Sequence, residues 1–137
     1  MKHLTGPFDL SKTPIHLDGG AGHAALPIPD FNFDGPSFER YIAQHCAPSA
    51  PGRLIMVETS TTSWASWECH PEGDEIVIVL EGKGIFIQQI DGETRKLPFG
   101  PGSTIINPAG VWHTADIDLP VKAIYITPCP GTQHRAR

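Results

Sequence analysis

Two carboxylates and two histidines stand out for their chemistry: Glu68, His70, Glu75 and His113. Residues 64–70 read as a strand, and strand alternation puts Trp64, Ser66, Glu68 and His70 on one face. Trp67 and Cys69 point the other way. A Pro71-Glu72-Gly73-Asp74 turn follows, and Glu75 opens the next strand. His113 comes much later, in a strand entered through Asn107-Pro108-Ala109-Gly110. If these strands are neighbours, two imidazoles and two carboxylates converge. Nitrogen and oxygen donors with no thiolate suit a divalent metal ion. An amphipathic strand has no need of Glu and His beside a tryptophan. A buried carboxylate costs several kcal/mol unless it is paired or metal-bound.

The elements that must position these residues are short strands. The chain has 14 Gly and 14 Pro among 137 residues, about a fifth, against about 12% in average proteins. Long helices tolerate neither residue in their interiors, so a helix bundle is excluded. At 39% hydrophobic the chain can bury a core and is not a disordered tail. Residues 1–52 are Pro-rich and read as an extended arm, with a short strand at 15–17. Phe38, Tyr41, Ile42 and His45 share one face of a short helix that Asp34 or Ser37 caps and Pro48 ends. From Arg53 the pattern is of strands: 53–60, 64–70, 75–81, 84–90, 94–97, 103–107, 111–117 and 121–127. Turn clusters separate them, with Gly82-Lys83 and Asp91-Gly92 short enough for hairpins. The expected division is an arm over 1–52, a β-barrel over 53–127 and a tail over 128–137.

Net charge is −5 and there is no Lys/Arg run, so nucleic acid and anionic membrane surfaces are poor partners. The longest aliphatic run, 76–80, is too short to span a bilayer, and residues 1–14 lack the apolar core of a secretion signal. Cys46, Cys69 and Cys129 form neither a disulfide framework nor a zinc-type Cys-x-x-Cys pair. They read as buried free thiols in a reducing, cytoplasmic setting. The 76–80 strand is apolar on both faces and, with the Pro-rich arm, points to a homodimer. His3, His16, His23 and His134 lie in the arm or tail and carry no assigned role.

Two stretches resemble the paired motifs of the cupin superfamily. The first is His70, four residues, Glu75, six residues, Gly82; the second is Gly102, five residues, Pro108-Ala109-Gly110, two residues, His113. The resemblance implies an all-β double-stranded β-helix, a small jelly-roll barrel, with a divalent metal (Mn, Fe, Ni or Zn) inside it. His70, Glu75 and His113 occupy three of the four ligand positions of these motifs. Three positions depart from the pattern: Glu68 stands where the motif has its first His, Thr62 where it opens on Gly, and Ile117 where it closes on Asn. Two readings follow for Glu68. It is a fourth ligand, or it is a general base beside a two-His-one-carboxylate face. A third, structural reading pairs it with an arginine such as Arg53.

Two functions follow. One is a metal-dependent enzyme acting on a small organic molecule by oxygenase, isomerase or decarboxylase chemistry, with Glu68 as a possible catalytic base. The other is a non-catalytic metal- or ligand-binding sensor module, which a largely apolar wall of Val77, Val79, Val111, Ala115 and Ile117 would suit. A metal-free cupin is a further alternative.

Overall fold

A computed structural model describes residues 4–20 and 22–137; His3 lies outside them. The elements are β1 (Ile15–Leu17), β2 (Ala25–Pro27), α1 (Gly35–His45), β3 (Arg53–Ser60), β4 (Ser66–Cys69), β5 (Glu75–Ile90), β6 (Glu93–Phe99), β7 (Thr104–Asn107), β8 (Trp112–Pro128) and β9 (Gln133–Ala136). All nine strands belong to one sheet that does not close on itself, with the path β2-β1-β3-β8-β4-β9 and with β5 joining β8 to β6 and β7. Every pairing is antiparallel.

The two long strands organise the fold. The first part of β5 and the last part of β8 run with β3 and β7, whereas the rest of β5 and the start of β8 run with β6 and β4. Each long strand thus serves two halves of a double-stranded β-helix. Here the structure corrects the sequence reading, which breaks β5 at Gly82-Lys83 and β8 near 118–120. The register between β5 and β8 shifts at Val79/Glu81, Glu81/Lys83 and Lys83/Gly84, so the glycines mark bulges and not a reversal. Gly82 has φ +94°, and a Cβ there would overlap the Pro120 carbonyl oxygen. Asp91-Gly92, in contrast, is a two-residue hairpin turn with both residues at positive φ, joining β5 to β6.

Between the halves lies a core that includes Val77, Val79, Phe86, Phe99, Ala115, Ala123 and Tyr125. Val77, Ala115 and Ala123 are fully buried, as alternation on β5 and β8 requires. Each large apolar side chain sealed there contributes about 1.5–3 kcal/mol. Strand β1 extends the sheet beside β3, and β9, not anticipated in the tail, pairs along β4. The helix begins where Asp34 Oδ1 accepts a hydrogen bond from the Ser37 amide at 2.8 Å.

The cysteines correct a second expectation. Cys46, at the C-terminal cap of α1, is disulfide-bonded to Cys129, just beyond β8, with Cα atoms 5.8 Å apart. Only Cys69 is a buried free thiol. The two partners are 83 positions apart, and no spacing rule brings such a pair together before the fold does. Among the described residues, no helix is long and apolar enough to cross a membrane.

Candidate metal centre

Three strands align the four residues singled out above. Glu68 on β4 lies directly opposite His113 on β8, and His113 lies opposite Gln88 on β5. Glu75, the first residue of β5, is opposite Asn107 at the end of β7. Residues opposite one another in an antiparallel pair share a face, so the donors are set side by side. The two turns that carry the motifs are also clipped together. The Gly110 amide donates to the His70 carbonyl at 3.1 Å, and the Ala109 amide donates to Asp74 Oδ1 at 2.8 Å.

His70, Glu75 and His113 are all at most 3% exposed. Their polar atoms meet at Glu75: His70 Nε2 lies 3.1 Å from Oε2, and His113 Nε2 lies 3.4 Å from Oε1. The distances are short, but neither contact has hydrogen-bond direction, and both Nε2 atoms are without a hydrogen-bond partner among the described residues. The other ring nitrogens are held. His70 Nδ1 meets Thr132 Oγ1 at 3.0 Å, and His113 Nδ1 faces the Val111 carbonyl at 3.3 Å. A carbonyl only accepts, so His113 must carry its proton on Nδ1. In the neutral ring its Nε2 lone pair then points at a carboxylate, a repulsion that a cation between them removes.

Burial alone would push the Glu75 carboxyl up, but the facing imidazoles, His113 and then His70, outweigh it and hold the acid well below the usual carboxylate range. Burial alone would likewise lower His70, yet the Glu75 carboxylate raises it on balance. Glu75 is further fixed by Asn107 Nδ2, which donates to Oε1 at 3.0 Å, and by Thr127 Oγ1, which donates to Oε2 at 2.7 Å. Asn107 in turn accepts from Gln88 Nε2 at 2.9 Å.

Glu68 sits at the edge, with its side chain 25% exposed. It offers an oxygen that, with one nitrogen each from His70 and His113, forms a group whose atoms all lie within 4.8 Å of one another. Its ion-pair partner is His134 Nε2 on β9, at 3.2 Å, and not Arg53. That hydrogen bond raises the His134 pKa. Trp64, Phe86 and Tyr125 pack beside the site, with the Trp64 ring 6.2 Å from that of His113. Glu58 on β3 adds an unanticipated carboxyl, pushed up by burial and then by Glu68 and Glu75. Arg135 stacks 4.4 Å over Trp112.

Sequence reasoning brought four residues to the site and missed the ones that hold them. Asn107 precedes the Pro108 turn and could have been weighed as a partner for Glu75. Thr127, Thr132 and His134 carry no local signal. The first two are 52 and 62 positions from the groups they touch.

The Cupin domain family model matches residues 53–127. Acireductone dioxygenases from two strains of Rhodopseudomonas palustris are 38% identical over 74 residues, covering 48% of this chain and 44% of the relative. The chain therefore spans less than half the length of these curated relatives. A solved structure from Klebsiella pneumoniae, described as an uncharacterised conserved protein with a double-stranded β-helix domain, aligns with a TM-score of 0.50. It is 19% identical, over 62% of this chain and 76% of that one, and it supports the fold alone. The family match begins on the first residue of β3, ends within β8 and takes in Glu68, His70, Glu75 and His113, so the chain belongs to the cupin domain family.

Proposed function

We propose that this cupin is a metal-dependent enzyme acting on a small organic molecule, with a divalent ion held by His70, Glu75 and His113 and with Glu68 as the fourth donor. One observation carries the reading: two fully buried imidazole Nε2 atoms face a buried carboxylate with no hydrogen-bond partner among the described residues. Such an arrangement is costly for the protein alone and suits a cation. Two imidazoles and two carboxylates favour Mn or Fe, with Ni or Zn as alternatives. A bound ion supplies Lewis acidity and, where redox-active, dioxygen chemistry.

The chain's own part is positional. Asn107 and Thr127 hold the Glu75 carboxylate, and Thr132 and the Val111 carbonyl orient the two rings. Glu68, being partly exposed and tied to His134, is also placed to exchange a proton with a substrate. Trp64 and Tyr125 form an aromatic wall beside the site. The likeness to acireductone dioxygenases supports the oxygenase class ahead of the isomerase and decarboxylase classes. Acireductone is thus the first compound to test.

Elemental analysis of protein purified without added metal tests the core of this reading. About one equivalent in wild type is expected, with background levels in His113→Ala. A metal-free wild type that also refuses Mn and Fe on titration would overturn it. The sensor alternative draws on the apolar interior of Val77, Val79 and Ala115, and metal-loaded protein that binds acireductone without turning it over would favour it. We further propose a homodimer, supported by the exposed apolar side chains of Leu80, Ile106 and Leu119. Light scattering showing only monomer contradicts it. Residues 53–127 are proposed as the chemical unit, flanked by the arm (1–52) and the tail (128–137). Cytoplasmic residence now rests on Cys69 alone among the thiols, because Cys46 and Cys129 are joined.

A further inference from the structure

We propose that the Cys46–Cys129 disulfide is a redox-sensitive latch on the metal centre, acting through Thr132 and Thr127 as positioning residues. This rests on the metal-centre reading above. The argument starts from where Cys129 lies. Two residues before it, Thr127 Oγ1 donates to Glu75 Oε2 at 2.7 Å; three residues after it, Thr132 Oγ1 meets His70 Nδ1 at 3.0 Å. The segment 127–132 therefore holds two of the proposed ligands, and the disulfide fastens its middle to the end of α1. Beyond the β3–β8 pairing, which runs to Pro128, Cys129 is tied there by its amide, which donates to the Gly52 carbonyl at 3.2 Å. Beside the bond, a cavity of about 50 Å³ separates Phe38, Tyr41 and Ile42 of α1 from Thr127 and Thr132, leaving room for the segment to move once released.

The surroundings suit both redox states. In the disulfide, Cys129 Sγ can only accept, and the Tyr41 hydroxyl, 3.3 Å away, can donate to it. His16 Nδ1 lies 2.7 Å from the same hydroxyl and then donates to its oxygen. In the thiol, S–H can donate to the Gly52 carbonyl, 3.6 Å away. Cys129 thus has a partner in either state. Reduction needs a thiol reductant. A dithiol gives two electrons and two protons to the S–S bond, which breaks into two Cys thiols, and the dithiol leaves as its own disulfide.

The test uses the full chain. Thiol counting on denatured protein never exposed to reductant is expected to show one reactive thiol, Cys69, and three after reduction. Chelator competition with Mn²⁺ is expected to show metal held about 10–100-fold more weakly in the reduced protein and in Cys46→Ser, the range for losing groups that orient metal ligands. Thr132→Val is expected to show the same loss, Thr132→Ser to restore affinity, and Cys46→Ser to add nothing on the Thr132→Val background. Circular dichroism checks that each variant is folded, and reduction of wild type repeats the comparison without a mutation. Three thiols in untreated protein, or equal Mn²⁺ affinity in the two redox states, overturns the latch. Failure of oxidised wild type to take up Mn²⁺ overturns the metal centre instead. Amide exchange over 127–132 then judges the latch, faster exchange on reduction supporting it and unchanged exchange overturning it.

Discussion

Two buried histidine clusters in this molecule treat the same side chain in opposite ways. At the candidate metal centre, His70 and His113 face the Glu75 carboxylate. In the arm, His16 is equally buried but faces the neutral Tyr41 hydroxyl at 2.7 Å, with the Tyr41 ring stacked on His45. Burial, then His45, pushes His16 down against the opposing pull of the Asp18 carboxylate, 3.9 Å from its Nε2, and burial pushes the Tyr41 phenol up, so His16 and Tyr41 stay neutral. At the other cluster the carboxylate reverses the outcome and raises His70. Burial does not decide the charge of a histidine; the partner that shares the burial does.

The comparison breaks most completely at Glu75. Glu75→Gln is expected to reduce bound metal to background by elemental analysis. In the metal-free protein it is expected to lower the His70 pKa, followed by NMR titration, because burial is then opposed only by the Glu68 charge. A His70 titration unmoved by the substitution would show that Glu75 is not what raises it.

The neutral cluster should be less costly to disturb. Tyr41→Phe leaves His16 Nδ1 buried without its partner, which costs roughly 1–3 kcal/mol, measurable by urea denaturation.

Acid sharpens the contrast further. A histidine with a lowered folded pKa binds its proton more readily when unfolded, so its neutral form stabilises the fold above the unfolded value of about 6.5. That contribution is lost as pH falls below 6.5 toward the folded value. Wild type is therefore expected to lose thermal stability relative to His16→Asn as pH drops from 7 to 5, and parallel melting curves would refute the neutral assignment.

The smallest effect belongs to a third histidine, His134, whose side chain is 58% exposed. His134→Ala removes an exposed ion pair with Glu68 and should cost under about 1 kcal/mol in thermal or chemical denaturation. A larger loss would mean that β9 depends on this pair more than its exposure suggests.

These clusters differ in how far they can be read from the chain. Glu68 and His70 are two residues apart on one predicted strand, so alternation puts them on one face, and Glu75 opens the next strand after a four-residue turn. The Pro108-Ala109-Gly110 turn similarly flags His113. The arm offers no such pattern. His16 is 25 positions from Tyr41, and Cys46 is 83 from Cys129. The breaks assigned at Gly82 and near Pro120 show the opposite error, because a glycine that permits a bulge and one that permits a reversal look alike until the partner strand is known.

By itself the sequence determined the strand-rich fold and the capped helix, through local periodicity and turn chemistry, and it named four candidate donors through strand alternation and likeness to the cupin motifs. Only the tertiary structure decided that β5 and β8 run unbroken, that Thr127, Thr132 and Asn107 hold the donors, and that Cys46 meets Cys129. Those contacts join distant segments, and they exist only once the burial of a shared core has offset the entropy of bringing such segments together.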